Sequence, residues 1–286
     1  MMTIWNDFLG CEIRYINTPN FGRVRIAESG KGEGKDPLFL LHGIGGHLEA
    51  YAKNVKPLSS DFHVIAYDFL NCGFSEKQDT AFNPVTLSEQ LAEIMDVLGY
   101  QRANISGESL GGWVAGTFAG MYPERVIKIQ LNTTGGIEIT SEKGEKDMVE
   151  LVELMKKSAG TPTYESTLLR MKWLMHEHNH HLLDEELVGT RLSIYSHPDM
   201  EVANKSIGAF AASDHHAFDI PLEKISCPTM FLWTRDNPIH TLDAAELACS
   251  KVAGASLYVM DADSKHWPQF EAPDEFNRVT RSFFLS

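Results

Sequence analysis

A chain of 286 residues, 43% hydrophobic and 22% charged, has the make-up of one large globular domain with room for an insertion. Its net charge of −14 argues against nucleic acid and against anionic membrane surfaces, since both call for clustered Lys and Arg. Residues 1–7 have no basic start or apolar run and no stretch is long enough to span a bilayer, while Cys11, Cys72, Cys227 and Cys249 lack Cys-x-x-Cys spacing, so a cytoplasmic protein with reduced thiols is expected.

Short apolar runs, most of them followed by helical patterns, set the order of elements. Residues 12–16 and 23–28 predict an opening pair of strands, a hairpin around Pro19-Asn20-Phe21-Gly22. Pro37-Leu38-Phe39-Leu40-Leu41-His42 is nearly all apolar, as a strand buried on both faces of a parallel sheet must be. His63-Val64-Ile65-Ala66-Tyr67-Asp68 is the next strand. Residues 86–98 follow, with Leu87, Leu91, Ile94, Met95 and Leu98 on one helix face. Residues 104–106, 126–131, 229–233 and 257–260 supply further strands. Such alternation predicts an α/β fold with a doubly wound, mostly parallel sheet. The alternation breaks over residues 135–212, where helical patterns at 148–155, 168–175 and 187–194 meet no strand of comparable strength. That segment is expected to form a helical cap over the carboxyl ends of the strands, where ligands bind in such sheets. Residues 1–134 and 213–286 would make the core.

Gly107-Glu108-Ser109-Leu110-Gly111 fits Gly-x-Ser-x-Gly, and the helix-compatible run Gly112-Trp113-Val114-Ala115-Gly116-Thr117-Phe118-Ala119 follows it at once. Strand, sharp turn and helix in that order make Ser109 a nucleophile at an elbow rather than a helix cap. The turn is too tight for side chains beside the serine, which accounts for the glycines. A serine hydroxyl needs a base, and in this arrangement an acid and then a histidine follow, each after a later strand. Asp236, in Thr234-Arg235-Asp236-Asn237-Pro238, is the expected acid, and His266, in Asp261-Ala262-Asp263-Ser264-Lys265-His266-Trp267, is the expected base. Asp261 and Asp263 are weaker candidates for the acid, being so close to His266 in the chain. His42-Gly43-Ile44-Gly45-Gly46 follows the first buried strand, and the backbone N–H groups of Ile44 and Leu110 are the expected oxyanion donors. Chemistry of this kind calls for no cofactor and no metal.

Other polar clusters read as architecture. His42 is expected to brace its loop from beneath, and Asp68-Phe69-Leu70-Asn71-Cys72-Gly73-Phe74-Ser75 to form a turn. His176, His178, His180 and His181 fall where a helical run fades into a loop, and read as a solvated helix end. Gly30-Lys31-Gly32-Glu33-Gly34-Lys35 is a polar loop between strands, with no following helix to hold a phosphate.

With these motifs in place, the chain resembles over essentially its whole length the meta-cleavage product hydrolases, carbon–carbon bond hydrolases of the α/β-hydrolase fold that act in aromatic-ring degradation. The more telling residues are the pair His266-Trp267 and the segment Asp184-Glu185-Glu186-Leu187-Val188-Gly189-Thr190-Arg191-Leu192, which is similar to the family's cap helix bearing an arginine. The resemblance implies that Arg191, with Trp267 and Gly43, holds the substrate, the guanidinium pairing with a carboxylate or keto-enol oxygen. It also implies a 2-hydroxy-6-oxo-hexa-2,4-dienoate as substrate, ketonised with help from His266 and attacked by Ser109 at its C6 ketone. Two positions depart from the family pattern. Glu108 stands where the family commonly has Asn before the nucleophile, and Glu49-Ala50-Tyr51 lies near where it often has another Asn. The rival readings are a carboxylesterase or lactonase with the same triad, and a ligand-binding protein on a retained hydrolase scaffold. A small molecule is the expected partner, and association of identical copies stays open.

Overall fold

In the computed structural model, which describes residues 3–286, a short helix α1 (Ile4–Asp7) leads into the hairpin of β1 (Glu12–Thr18) and β2 (Gly22–Ser29). Then come β3 (Pro37–Leu41), α2 (Ala52–Leu58), β4 (His63–Tyr67), α3 (Pro84–Leu98), β5 (Ala103–Glu108), α4 (Leu110–Met121) and β6 (Val126–Asn132). Four helices follow with no strand among the described residues between them: α5 (Glu142–Gly160), α6 (Tyr164–Leu174), α7 (Glu185–Tyr195) and α8 (Met200–Ala211). The chain ends with β7 (Thr229–Trp233), α9 (Leu242–Ser250), β8 (Ser256–Val259), α10 (Pro268–Glu271) and α11 (Pro273–Leu285).

All eight strands share one sheet, in the order β1-β2-β4-β3-β5-β6-β7-β8. β2 runs antiparallel to both β1 and β4, and every other neighbouring pair is parallel. The parallel strands therefore end on one edge, and the loops after β3, β5, β7 and β8 meet there. Period-two alternation decides the layers. Leu38, Leu40, Val64, Ala66, Met230 and Leu232 face a cluster that includes Val55 of α2 and Phe276 of α11. Phe39, Leu41, Ile65, Tyr67, Phe231 and Trp233 face the opposite cluster, with Leu91 of α3, Phe118 of α4 and Ala245 of α9. Burial on both faces is why the central strands read as unbroken apolar runs.

The helix ends follow their local chemistry. Asn83 caps α3 by accepting the Thr86 N–H at 3.0 Å, Pro84 opens the helix, and Gly99 closes it at φ 83°. No helix among the described residues is long and apolar enough to cross a membrane.

Candidate active site

β5 passes the chain to α4 through Ser109, whose backbone sits at φ 56° and ψ −117°, a region rarely open to a residue with a side chain. A Cβ on Gly107 would lie 2.1 Å from the Gly111 carbonyl oxygen, and one on Gly111 would lie 2.1 Å from that of Leu41. Only glycine fits at either place. The Ser109 N–H bonds to the Asn132 carbonyl at 3.0 Å and its own carbonyl accepts from Trp113 at 3.0 Å, which holds the elbow against its strain. Ser109 is half-buried between neighbours that are almost fully buried. It stands at the N-terminus of α4, where the helix dipole favours a developing oxyanion.

His266 sits on the loop after β8. Its N–H bonds to the Leu174 carbonyl at the end of α6, 2.9 Å away, and its carbonyl accepts from Thr133 Oγ1 at 3.1 Å. The imidazole Nδ1 bonds to Asn237 Oδ1 at 2.7 Å, while Asn237 Nδ2 donates to the His240 carbonyl, also at 2.7 Å. A carbonyl can only accept, so Nδ2 must face it and Oδ1 must face the ring. Nδ1 of His266 therefore carries the proton, which leaves the Nε2 lone pair free to act as a base. Burial, with His240 and Lys265 nearby, pushes His266 down to about 3, so the resting ring is neutral.

Two cavities meet at Ile44, Ser109, Leu151 and His266. One, of about 150 Å³, is walled by apolar side chains including Trp113, Ile139, Met148, Val152, Met155 and Phe210. The other, of about 20 Å³, is lined by Gly43, Glu108, Arg170, Arg191 and Trp267. Arg191 is only 1% exposed, its guanidinium lies 4.6 Å from the centre of the Trp267 ring, and its Nε and Nη1 have no hydrogen-bond partner. Burial lowers its pKa, but a guanidinium starts so high that it stays charged. Glu108 is buried beside it. Its Oε2 accepts the Gly43 N–H at 2.8 Å, and its Oε1 lies 3.5 Å from His266 Nε2. Burial pushes Glu108 up to about 8, against the Gly43 N–H and Arg191, which both lower it.

Residues 36–273 match the family model described as alpha/beta hydrolase fold. The chain belongs to that family. This α/β hydrolase is 28% identical over 283 residues, 94% of each chain, to a Klebsiella pneumoniae protein named 2-hydroxy-6-oxononadienedioate/2-hydroxy-6-oxononatrienedioate hydrolase. It shares its fold with the 2-hydroxy-6-oxo-6-phenylhexa-2,4-dienoate hydrolase of Rhodococcus sp. strain RHA1, with TM-score 0.82, 20% identity, and coverage of 96% of this chain and 100% of that one. It shares it also with the enol-lactonase of Burkholderia xenovorans LB400, with TM-score 0.76, 20% identity, and coverage of 96% and 100%. The resemblance to meta-cleavage product hydrolases read from the sequence is thus matched by a curated relative named as a 2-hydroxy-6-oxononadienedioate hydrolase.

The hydrolase brings together Ser109, Leu110, Ile44, His266, Arg191, Trp267 and Gly43 around the two cavities. It does not bring Asp236. That carboxylate is 59% exposed and lies 3.6 Å from His176 Nε2, away from His266. The expectation that Asp236 orients the histidine is therefore corrected: Asn237 occupies that place. Beyond β7 the chain turns so that Arg235 and Asp236 face solvent while residues 237–240 turn inward, with the His240 carbonyl taking the Trp233 indole N–H at 3.0 Å. Asp261 is exposed, and Asp263 bonds to His178 at 2.9 Å, so neither approaches the role.

The readings of His42 and of the Asp68 turn as architecture hold. His42 Nδ1 donates to the Gly43 carbonyl at 2.7 Å, and its Nε2 accepts the Phe69 N–H at 3.1 Å. That bond ties the loop after β3 to the Asp68 turn. Asp68 in turn accepts from Arg25, Leu48 and Phe74, and Arg25 also grips Glu49 through two bonds. Glu49 is consumed in this network, and it is Ala50 that lines the polar cavity. His180 and His181 bond to backbone carbonyls, while His176, His178 and Asp263 bring one ligand atom each within 4.8 Å of one another at the surface.

Proposed function

We infer that this α/β hydrolase cleaves a carbon–carbon bond in a 2-hydroxy-6-oxo-hexa-2,4-dienoate-type product of aromatic-ring cleavage. Ser109 is the nucleophile, His266 the base, and residues 135–212 the cap. One observation carries the reading: Arg191 is buried next to Ser109 with two donors unpaired. A buried cation with free N–H groups is costly unless an anion arrives to take them, and a dienoate carboxylate is such an anion. The apolar cavity on the other side of Ser109 would take the group on C6. The names of the relatives support the same substrate class.

In this mechanism the dienol is first ketonised with help from His266: the C2 hydroxyl gives up its proton, C5 gains one, and C5 becomes a saturated carbon conjugated through C3=C4 to the C2 ketone. Ser109 Oγ then bonds to C6 and its proton passes to His266 Nε2, while the oxyanion takes the Ile44 and Leu110 amides. The C5–C6 bond then breaks, its electron pair moving through the conjugated chain to the C2 oxygen, and His266 returns the proton to that leaving dienoate. Water, giving a proton to His266, attacks the acyl group and frees Ser109. No bound group is needed for any step.

A lactonase or esterase is the second reading, and cavity size favours it: about 150 Å³ of the space beside Ser109 is apolar against about 20 Å³ at the arginine. Arg191→Gln separates the two. Loss of dienoate cleavage with simple ester turnover retained supports the first reading; equal effects on both support the second.

A further inference from the structure

Serine chemistry needs a negative charge that position 237 cannot supply. When His266 takes the Ser109 proton it becomes a buried imidazolium, and Asn237 offers it only an amide dipole. The buried carboxyl lies on the other side of the ring. Glu108 Oε1 is 3.5 Å from His266 Nε2, with 2% of the glutamate side chain exposed. Because Oε2 is taken by the Gly43 N–H, Oε1 is the atom that holds or loses the proton.

We propose that Glu108 is the acid of this site: it shares one mobile proton with His266, and its carboxylate stabilises the imidazolium formed as Ser109 attacks. Glu108 stands where the family that the chain resembles commonly has Asn, and position 237 carries an amide rather than a carboxylate. The groups that face Glu108 are His266 from the loop after β8, Arg191 from α7, Arg170 from α6 and Tyr51 from the turn after β3. Below about 8 the carboxyl is protonated and the pair is full. It becomes receptive as pH rises through that value, because the serine proton then has somewhere to go. An anionic dienolate opens the site without alkali. It takes the Glu108 proton on C5, becomes the 2-keto form, and leaves the carboxylate beside His266. That last step rests on the function inferred above; the shared proton rests only on Ser109 and His266 working together.

Phosphonylation of Ser109 by a fluorophosphonate tests the proposal without any dienoate. The Oγ–P bond forms, the P–F bond breaks, fluoride leaves with the electron pair, and the serine proton passes through His266 Nε2 to Glu108 Oε1. In the wild type the second-order rate is expected to rise with pH through one midpoint near 8. Glu108→Gln keeps an oxygen for the Gly43 N–H but cannot ionise; it is expected to lose the rise and run about 10²-fold below the wild-type plateau. Glu108→Asp, which keeps a carboxylate, is expected to recover a pH-dependent rise. A flat wild-type profile overturns the proposal with no variant required, and so does a Gln variant that keeps the rise. A wild type unlabelled at every pH removes Ser109 as nucleophile and this proposal with it. A labelled enzyme that never consumes a dienolate removes only the carbon–carbon function.

Discussion

Asn237 and His266 are locked together: the amide oxygen takes the Nδ1 proton at 2.7 Å, and the amide nitrogen is spent on the His240 carbonyl at 2.7 Å. Position 237 is thus shaped for an amide. Asn237→Asp would set a carboxylate oxygen against a carbonyl oxygen, so it is expected to lower stability by about 1–3 kcal/mol rather than improve the enzyme. Thermal unfolding reads this directly. Asp236→Asn, by contrast, alters an exposed group facing His176 and is expected to leave turnover within about twofold, as surface ion pairs usually do. A large loss in Asp236→Asn would return the orienting role to Asp236.

Arg191 should matter in proportion to the charge on the ligand. A charge-assisted hydrogen bond contributes about 1.5–3 kcal/mol, so Arg191→Gln is expected to lower kcat/KM for a dienoate by about 10–150-fold. For an uncharged phenyl or alkyl ester the change should stay within about threefold. Steady-state kinetics on the two substrates side by side gives the ratio.

Glu108 links function to stability with a definite sign. Its folded pKa, about 8, lies above its ordinary value of 4.5, so the folded state binds the extra proton between those values. The stabilisation is complete below 4.5 and is lost as pH rises through 8. Glu108→Gln should therefore unfold at a higher temperature than the wild type above pH 8, with the gap closing towards pH 5. His42 and His240, held near 4 by burial, act in the other direction: their contribution is complete above 6.5 and is lost as pH falls through 4. Melting temperature against pH should consequently pass through a maximum between these limits.

Arg25 bonds to Glu49 and Asp68 where all three side chains are buried. Burial alone would raise Glu49, but His47 and Arg25 together outweigh it and hold the carboxylate below its usual range. Arg25→Met would strand two buried carboxylates, an expected loss of about 3–5 kcal/mol measurable by denaturant unfolding. Because the same network holds the Asp68 turn against His42, Ser109 labelling should slow in that variant as well.

Much of this molecule was legible in its sequence, and what was not has identifiable causes. The central strands stood out because burial on both faces makes them apolar throughout, and the elbow because its glycines are forced by contacts of 2.1 Å. Helices α2 and α9 stood out less, since α2 carries Pro57 and α9 runs only nine residues, too short for a clear period. The mistaken acid has a different origin. Chemistry favoured the carboxylate of the Asp236-Asn237 pair, whereas the turn after Trp233 sends residue 236 outward and 237 inward, a matter of backbone path that residue type does not disclose. Glu108 was visible as a departure at the position before Ser109, but its nearness to His266 depends on a loop 158 residues further on.

The central claim, carbon–carbon cleavage at Ser109, is tested most directly by the visible absorbance of a 2-hydroxy-6-oxo-hexa-2,4-dienolate on mixing with enzyme, across phenyl, alkyl and unsubstituted C6 groups. The yellow colour should fade with the wild type while one equivalent each of a 2-hydroxypenta-2,4-dienoate and the C6 acid forms, and neither product should form with Ser109→Ala. Persistence of the colour with every C6 group, in an enzyme whose Ser109 still reacts with a fluorophosphonate, would contradict it.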